Sequence, residues 1–274
     1  MSIKNILVAH TGSSGFESSV RYSAKIAAKH GAWLTAVYGG TSSYFDQVLG
    51  LTDDLHERLM SVRNEKIVQS VQLFDKLTAE AGIADRAHFI SPVQVGNSSL
   101  PEIARSFDFV VTGYQPKLPN DEFRSVSPDL VALQSGRPVL VVPDQYVSES
   151  LADHALVAWD GKRSSARALN DAMSVLEEKP RKVSVLTAGD VLSELPEGIG
   201  IETHLERHGI QAEHLTRSRS GRSIAEVIQA TAAEVGAKLI VMGAYEHSKF
   251  SQDLFGGVTH EVIRSTRVPV FMSH

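Results

Sequence analysis

The sequence predicts an α/β protein built as two tandem doubly wound domains, each a parallel sheet with helices on both faces. Three observations carry this. Short β-branched runs alternate with helix-length amphipathic segments along the chain. The strand candidates Ile6–Ala9, Phe109–Thr112 and Leu239–Met242 are apolar at every position rather than at every second one, as in strands covered on both faces. Finally, the chain repeats itself once, with five features recurring in the same order.

The first copy opens on Ile6-Leu7-Val8-Ala9, followed by His10-Thr11-Gly12. Its counterpart is Leu156-Val157-Ala158, followed by Trp159-Asp160-Gly161. Amphipathic runs come next, Ser18 to Ala28 and Ser164 to Leu176, then apolar runs ending in a small residue, Trp33–Gly40 and Val183–Gly189. Between Leu51 and Leu77, apolar residues fall at helical spacing (Leu55, Leu59, Val62, Ile67, Val71, Phe74) with charges between them, which predicts one or two long helices. The matching stretch of the second copy, Asp190–His208, is short and holds Pro196, so its helix is limited to two or three turns. Phe107–Gly113 parallels Ala237–Gly243, and Arg137–Val142 parallels Arg267–Met272. A polar stretch opened by Pro143 reads as a linker. The expected division is a first domain over 1–143, a linker over 144–152 and a second domain over 153–274.

Length and composition agree with this. A chain of 274 residues favours two domains, and 42% hydrophobic with 22% charged residues is globular composition. With Cys at 0, disulfides, thiolate metal sites and cysteine nucleophiles are excluded. A formal net charge of -5 leaves no overall electrostatic footprint for nucleic acid or an anionic membrane. The apolar run Ile6–Ala9 is too short for a signal-peptide core, and no stretch approaches the roughly 20 apolar residues that span a bilayer. The expectation is a cytoplasmic protein without membrane or nucleic-acid partners.

Ligands of doubly wound sheets sit beyond the carboxyl ends of the strands, where the strand order reverses. That directs attention to the loops after the first and fourth strands of each copy. In the second copy the first of these carries Asp160 beside Gly161. Its carboxylate could accept hydrogen bonds from a ribose or an adenine amine, or it could shape a local turn or helix cap. The second runs from Met242-Gly243-Ala244-Tyr245-Glu246 through nine residues to Gly256-Gly257-Val258-Thr259 and then a helix. Paired glycines at a helix start let backbone N–H groups approach an anion, although a plain glycine turn would look the same.

This spacing, with a final Val-Pro-Val strand, resembles the universal stress protein family, whose pattern is Gly-x2-Gly-x9-Gly-Ser/Thr with an Asp on the first loop. The resemblance covers both copies and is strongest over Ala230–Pro269. It implies a five-stranded parallel sheet per domain and, since many members bind ATP, ATP or a related adenine nucleotide as cofactor, with or without magnesium. Carried over by position, it implicates Ala158 and Asp160 on the first loop and Leu186 on the second strand. Met242, Gly243 and Tyr245 would lie near the ribose, and Gly256, Gly257, Val258 and Thr259 around the phosphates. Two positions depart from the pattern. Glu246 stands where the family has its second Gly and would repel phosphates unless a metal ion or Lys249 compensates. Gly257 stands where the family has a hydroxyl residue.

The first copy departs further: Thr11 replaces the acid, Gly113-Tyr114-Gln115-Pro116 replaces the glycine motif, and no Gly pair follows in Lys117–Pro128. It is expected to serve as a pseudo-symmetric partner rather than an ATP site. The resemblance also implies that the terminal strands Val139–Val142 and Val270–Met272 pair within the chain, and a homodimer of such chains is a further expectation. His204 and His208 lie four apart and could share a metal on a helix face, with surface histidines as the plainer reading. Arg217-Ser218-Arg219-Ser220-Gly221-Arg222 is a basic cluster, either a solvated loop or a phosphate contact. No nucleophile elbow or Walker pattern is present, so no catalytic residues are assigned. The expected function is a stress-response module that binds adenine nucleotide in its second domain with little or no catalysis. The alternatives are a nucleotide-free interaction scaffold and a weak ATPase.

Overall fold

The computed structural model describes residues 3–10, 15–38, 53–95, 98–114, 128–147, 151, 153–178, 181–189, 195–244 and 257–274. The elements of the first half are β1 (Asn5–His10), α1 (Phe16–His30), β2 (Trp33–Tyr38), α2 (Asp53–Glu80), β3 (Ala87–Ile90), α3 (Pro92–Val95), α4 (Leu100–Ala104), β4 (Phe109–Gly113), α5 (Pro128–Ser135) and β5 (Val139–Val142). The second half comprises β6 (His154–Ala158), α6 (Arg163–Leu176), β7 (Lys182–Ala188), α7 (Ile201–Arg207), β8 (Ala212–Arg217), α8 (Ile224–Glu234), β9 (Leu239–Gly243), α9 (Val258–Ser265) and β10 (Val270–Ser273).

All ten strands form one sheet in the order β3-β2-β1-β4-β5-β10-β9-β6-β7-β8. Within each half the five strands are parallel, and β5 meets β10 antiparallel, with Leu140 opposite Phe271. The apolar strand runs follow from this arrangement. Val110, Val111, Ile240 and Val241 have no exposed surface because helices cover both faces. One face packs α1, the end of α2, α6 and α7 through Val20, Phe74, Leu77, Leu169, Leu176 and Leu205. The other packs α4, α5, α8 and α9 through Leu100, Val131, Ile228, Val262 and Ile263.

The long helix expected between Leu51 and Leu77 is a single helix, α2, of 28 residues. Among its described side chains, only those of Ser70, Phe74, Leu77 and Thr78 in the last turns are buried, while Val62 and Val68 stay half exposed upstream. The corresponding α7 has 7 residues, two turns, as the shorter stretch requires. None of the helices among the described residues is long and apolar enough to cross a membrane.

The repeat extends to the helix caps. Ser99 caps α4 and Ser223 caps α8, each in a capping box with a glutamate three residues on, Glu102 and Glu226. The Ser99 backbone N–H, helped by its hydroxyl, holds the Glu102 carboxyl below the usual range. Ser223 does more, because its hydroxyl also donates to Glu261 Oε1 on α9 at 2.6 Å and so ties the two helices together. Ser223→Ala is therefore expected to lower stability by about 1–2 kcal/mol, more than Ser99→Ala, as measured by urea unfolding of the two variants.

Candidate functional site

In the second half the strand order reverses at β6, with β7 and β8 on one side and β9 and β10 on the other. The crevice beyond the carboxyl end of β6 is where a doubly wound sheet receives a ligand. Three of the residues implicated from the sequence lie side by side there. Ala158 pairs in register with Leu186 on β7 and with Met242 on β9. Leu186 and Met242 are buried and point toward the α8 and α9 face, whereas Ala158 is partly exposed. The Leu186 carbonyl is already engaged, accepting from Trp159 N at 2.8 Å, so Leu186 shapes the floor and presents little to a ligand.

Asp160 follows this row. Its Oδ1 accepts from the Lys162 backbone N–H at 3.1 Å, and Oδ2 lies 3.8 Å from Lys162 Nζ. This is the local turn that the sequence left open as an alternative. The carboxylate nevertheless remains half exposed at the mouth of the crevice, so a ligand can still reach it. Gly161 has φ +72°, a conformation that favours glycine.

Gly243 ends β9 at the same level, and its reason for being glycine is packing. A Cβ there would lie 2.5 Å from Ser164 Oγ and 2.6 Å from both Ser164 C and Ser165 N at the start of α6. The first half repeats the device, with a Cβ on Gly113 lying 2.9 Å from Gly15 Cα. The glycine after the fourth strand thus lets the first helix of each half approach the sheet closely.

Gly257 is the N-cap of α9 and contributes no side-chain cap. Val258 is partly exposed and Thr259 is buried at the helix start. Space is open around Gly257, where a Cβ would meet nothing within 4 Å. A cleft of about 870 Å³ runs from this point between α8 and α9, lined by Arg219, Ser223, His260, Glu261 and Arg264 among others. Of the implicated residues, Tyr245 and Gly256 lie outside the described residues, as do Glu246 and Lys249.

Comparison with known proteins bears on this geometry. The sequence model of the Universal stress protein family matches residues 152–274, the span that holds β6 to β10 and the whole crevice. The second half of the chain is thus similar in sequence to that family from β6 to β10. A curated universal stress protein from Synechocystis sp. is 24% identical to this chain, covering 98% of it and 99% of the relative. The crystal structure of a universal stress protein from Archaeoglobus fulgidus DSM 4304 superposes with a TM-score of 0.75 at 20% identity, covering 98% of this chain and 96% of that one. A putative universal stress protein from Pseudomonas aeruginosa UCBPP-PA14 has a TM-score of 0.56 at 16% identity, covering 99% and 93%. Both structures share the fold across the two halves.

In the first half, the row equivalent to Leu186–Ala158–Met242 is Val37–Ala9–Thr112. The next residue on β1, His10, is buried, with its ring stacked 4.1 Å from Phe16 and tilted against Tyr38 at 4.8 Å. Its Nε2 lies 2.9 Å from Ser70 Oγ on α2. Burial lowers its pKa to about 4, opposed in part by a backbone hydrogen bond, so the ring is neutral at pH 7. The sequence reading passed over His10. A histidine at the end of a wholly apolar strand was the signal available. Thr11 and residues 115–127, on which the reading of a degenerate first site rests, lie outside the described residues.

Of the two histidines weighed as metal ligands, His208 has Nδ1 2.8 Å from Glu177 Oε1, and the His204 ring lies 4.8 Å from that of His208. His214 contacts Glu202 and has Nε2 2.9 Å from Thr187 Oγ1. No group of three His, Cys, Asp or Glu able to hold a metal occurs among the described residues. In the basic cluster, Arg217 pairs with Glu234 at 2.9 Å and Arg219 folds against Gly189. His30 meets the carboxylate of Glu178 at 2.7 Å.

Proposed function

We propose that the second domain, residues 153–274, binds ATP or a related adenine nucleotide as a stress-response module without catalysis of its own. The first domain, residues 1–143, serves as its structural partner, joined by the linker 144–152. The observation that carries the reading is the row at the switch point. Ala158, Leu186 and Met242 stand in register across three strand ends, Gly243 follows Met242 at the end of β9, and Asp160 lies two residues beyond Ala158 with its carboxylate half exposed. Ala158 and Asp160 would meet the nucleoside. Met242, Gly243 and Tyr245 would lie at the ribose. Gly256, Gly257, Val258 and Thr259 would present N–H groups to the phosphates, with the helix dipole favouring the negative charge.

A nucleotide-free scaffold of the same fold is favoured by one observation, the engagement of the Asp160 carboxylate by Lys162. Heat-denaturing the purified protein and resolving the supernatant by anion exchange separates the two. Close to one adenine nucleotide per chain supports the nucleotide reading. An empty supernatant, together with no thermal shift in Mg-ATP, supports the scaffold.

The open space at Gly257 permits a sharper test. Gly257→Ser restores the hydroxyl of the family pattern without a steric conflict. One added hydrogen bond to a phosphate is expected to tighten Mg-ATP binding roughly fivefold by calorimetry. Unchanged or weaker binding would place the phosphates elsewhere.

A further inference from the structure

The antiparallel β5–β10 junction relates the halves by an approximate two-fold axis through the facing pair Leu140 and Phe271. Along their first three elements the halves keep a constant spacing. Asn5 pairs with Trp33 as His154 pairs with Lys182, and the Gly113 approach to Gly15 is repeated by that of Gly243 to Ser164. Residues 149 positions apart therefore correspond in the two halves, and Lys29, in the last turn of α1, and Glu178, two residues past the end of α6, are such a pair. They also touch each other, as an ion pair across the junction.

A position that meets its own counterpart at a two-fold axis distinguishes like from unlike pairing. Two first halves joined through β5 would bring Lys29 against Lys29, with His30 beside each. Two second halves joined through β10 would bring Glu178 against Glu178. The unlike pairing sets acid against base. The Glu178 side chain is only 14% exposed, so the juxtaposition is little screened by solvent. It also receives His30 Nε2 at 2.7 Å from the first half and an Arg181 guanidinium nitrogen at 2.9 Å from its own half. Burial works against the charged form, yet Lys29, Arg181 and His30 together hold the Glu178 carboxyl below its usual range. Around this point the ends of the linker region are also fixed. Arg181 donates to the Leu151 carbonyl at 3.3 Å, and Tyr146 packs edge-on against Tyr22 at 5.9 Å.

We propose that the contact of Lys29 and His30 with Glu178 is a pairing code, by which the β5 face recognises the β10 face of the unlike half and rejects a like half from a second copy. The proposal concerns the junction alone and is independent of what the crevice binds.

The test uses the full chain. Lys29→Glu sets two carboxylates against each other at a half-exposed position, where the change is compatible with folding. Amide exchange of Val139–Val141 and Val270–Met272 is expected to accelerate on the order of fivefold, with β2 and β7 unchanged. In a Glu178→Gln background the same substitution should leave junction exchange nearly unaltered. The proposal is overturned by equal acceleration in both backgrounds, by no acceleration in either, or by β2 and β7 accelerating along with the junction. The rejection of like halves has its own readout. Lys29→Gln combined with Glu178→Gln removes the discrimination, so sedimentation should show larger species growing with concentration beyond wild type. A concentration dependence identical to wild type would remove that part of the proposal.

Discussion

Gly243→Ala is expected to lower stability by about 3 kcal/mol, the upper part of the range for forcing a methyl group into a closed contact. The new Cβ would lie 2.6 Å from two backbone atoms at the start of α6, so either that helix or the end of β9 must shift. Neither is free to move alone, because β9 is paired on both sides, with β6 and with β10. Gly113→Ala meets the same obstacle in milder form. Its Cβ would lie 2.9–3.1 Å from the backbone of Gly15, itself a residue without a side chain to collide. The order of damage should be Gly243→Ala greater than Gly113→Ala, both measured as loss of unfolding free energy in urea. A Gly243→Ala protein as stable as wild type would show that the close approach is dispensable. The ordering also guards the functional assay: loss of nucleotide binding in a Gly243 variant is informative only beside its stability.

The second large effect is on pH dependence. His10 is buried neutral, with a pKa lowered from 6.5 to about 4 in the folded protein. The unfolded chain therefore binds the proton more readily, and stability rises with pH across this interval. The contribution of His10 is fully present above pH 6.5 and is lost progressively as pH falls toward 4, where the loss amounts to about 3 kcal/mol. His10→Phe keeps an aromatic ring between Phe16 and Tyr38 and removes the titrating group. Urea unfolding at pH 7 and at pH 4 should show the wild type losing about 3 kcal/mol more than this variant. Equal losses would mean that His10 is solvated, or charged, within the folded state.

Much of the architecture was legible in the sequence, because strands covered on both faces must be apolar at every position and the chain says so twice. The division of labour between α2 and α7 was legible in the same way, since twenty-eight residues of helical spacing cannot fit where Pro196 interrupts a short stretch. The site was legible in part. The row Ala158, Leu186 and Met242 follows from register once the sheet exists, but their burial depends on what α8 and α9 place over them. Gly243 was read as a ligand contact, whereas its immediate physical reason is the approach of α6. Asp160 offered two readings, and the structure realises the local turn while leaving the carboxylate accessible. Least legible were the contacts between the halves. Nothing near Lys29 in sequence announces Glu178, and only the superposition of one copy on the other brings them together.

The antiparallel seam has a practical consequence for anyone dividing this chain. Across it, Val139, Leu140 and Val141 lie against Met272, Phe271 and Val270, and all six are buried. A fragment ending after residue 143, or one beginning at residue 153, would carry one margin of this seam uncovered as a bare row of backbone hydrogen-bonding groups between apolar side chains. Such a margin invites strand addition, so a lone fragment would tend to precipitate unless the complementary half is supplied. Joining the halves end to end in one polypeptide keeps that adhesive margin closed from the moment both have folded.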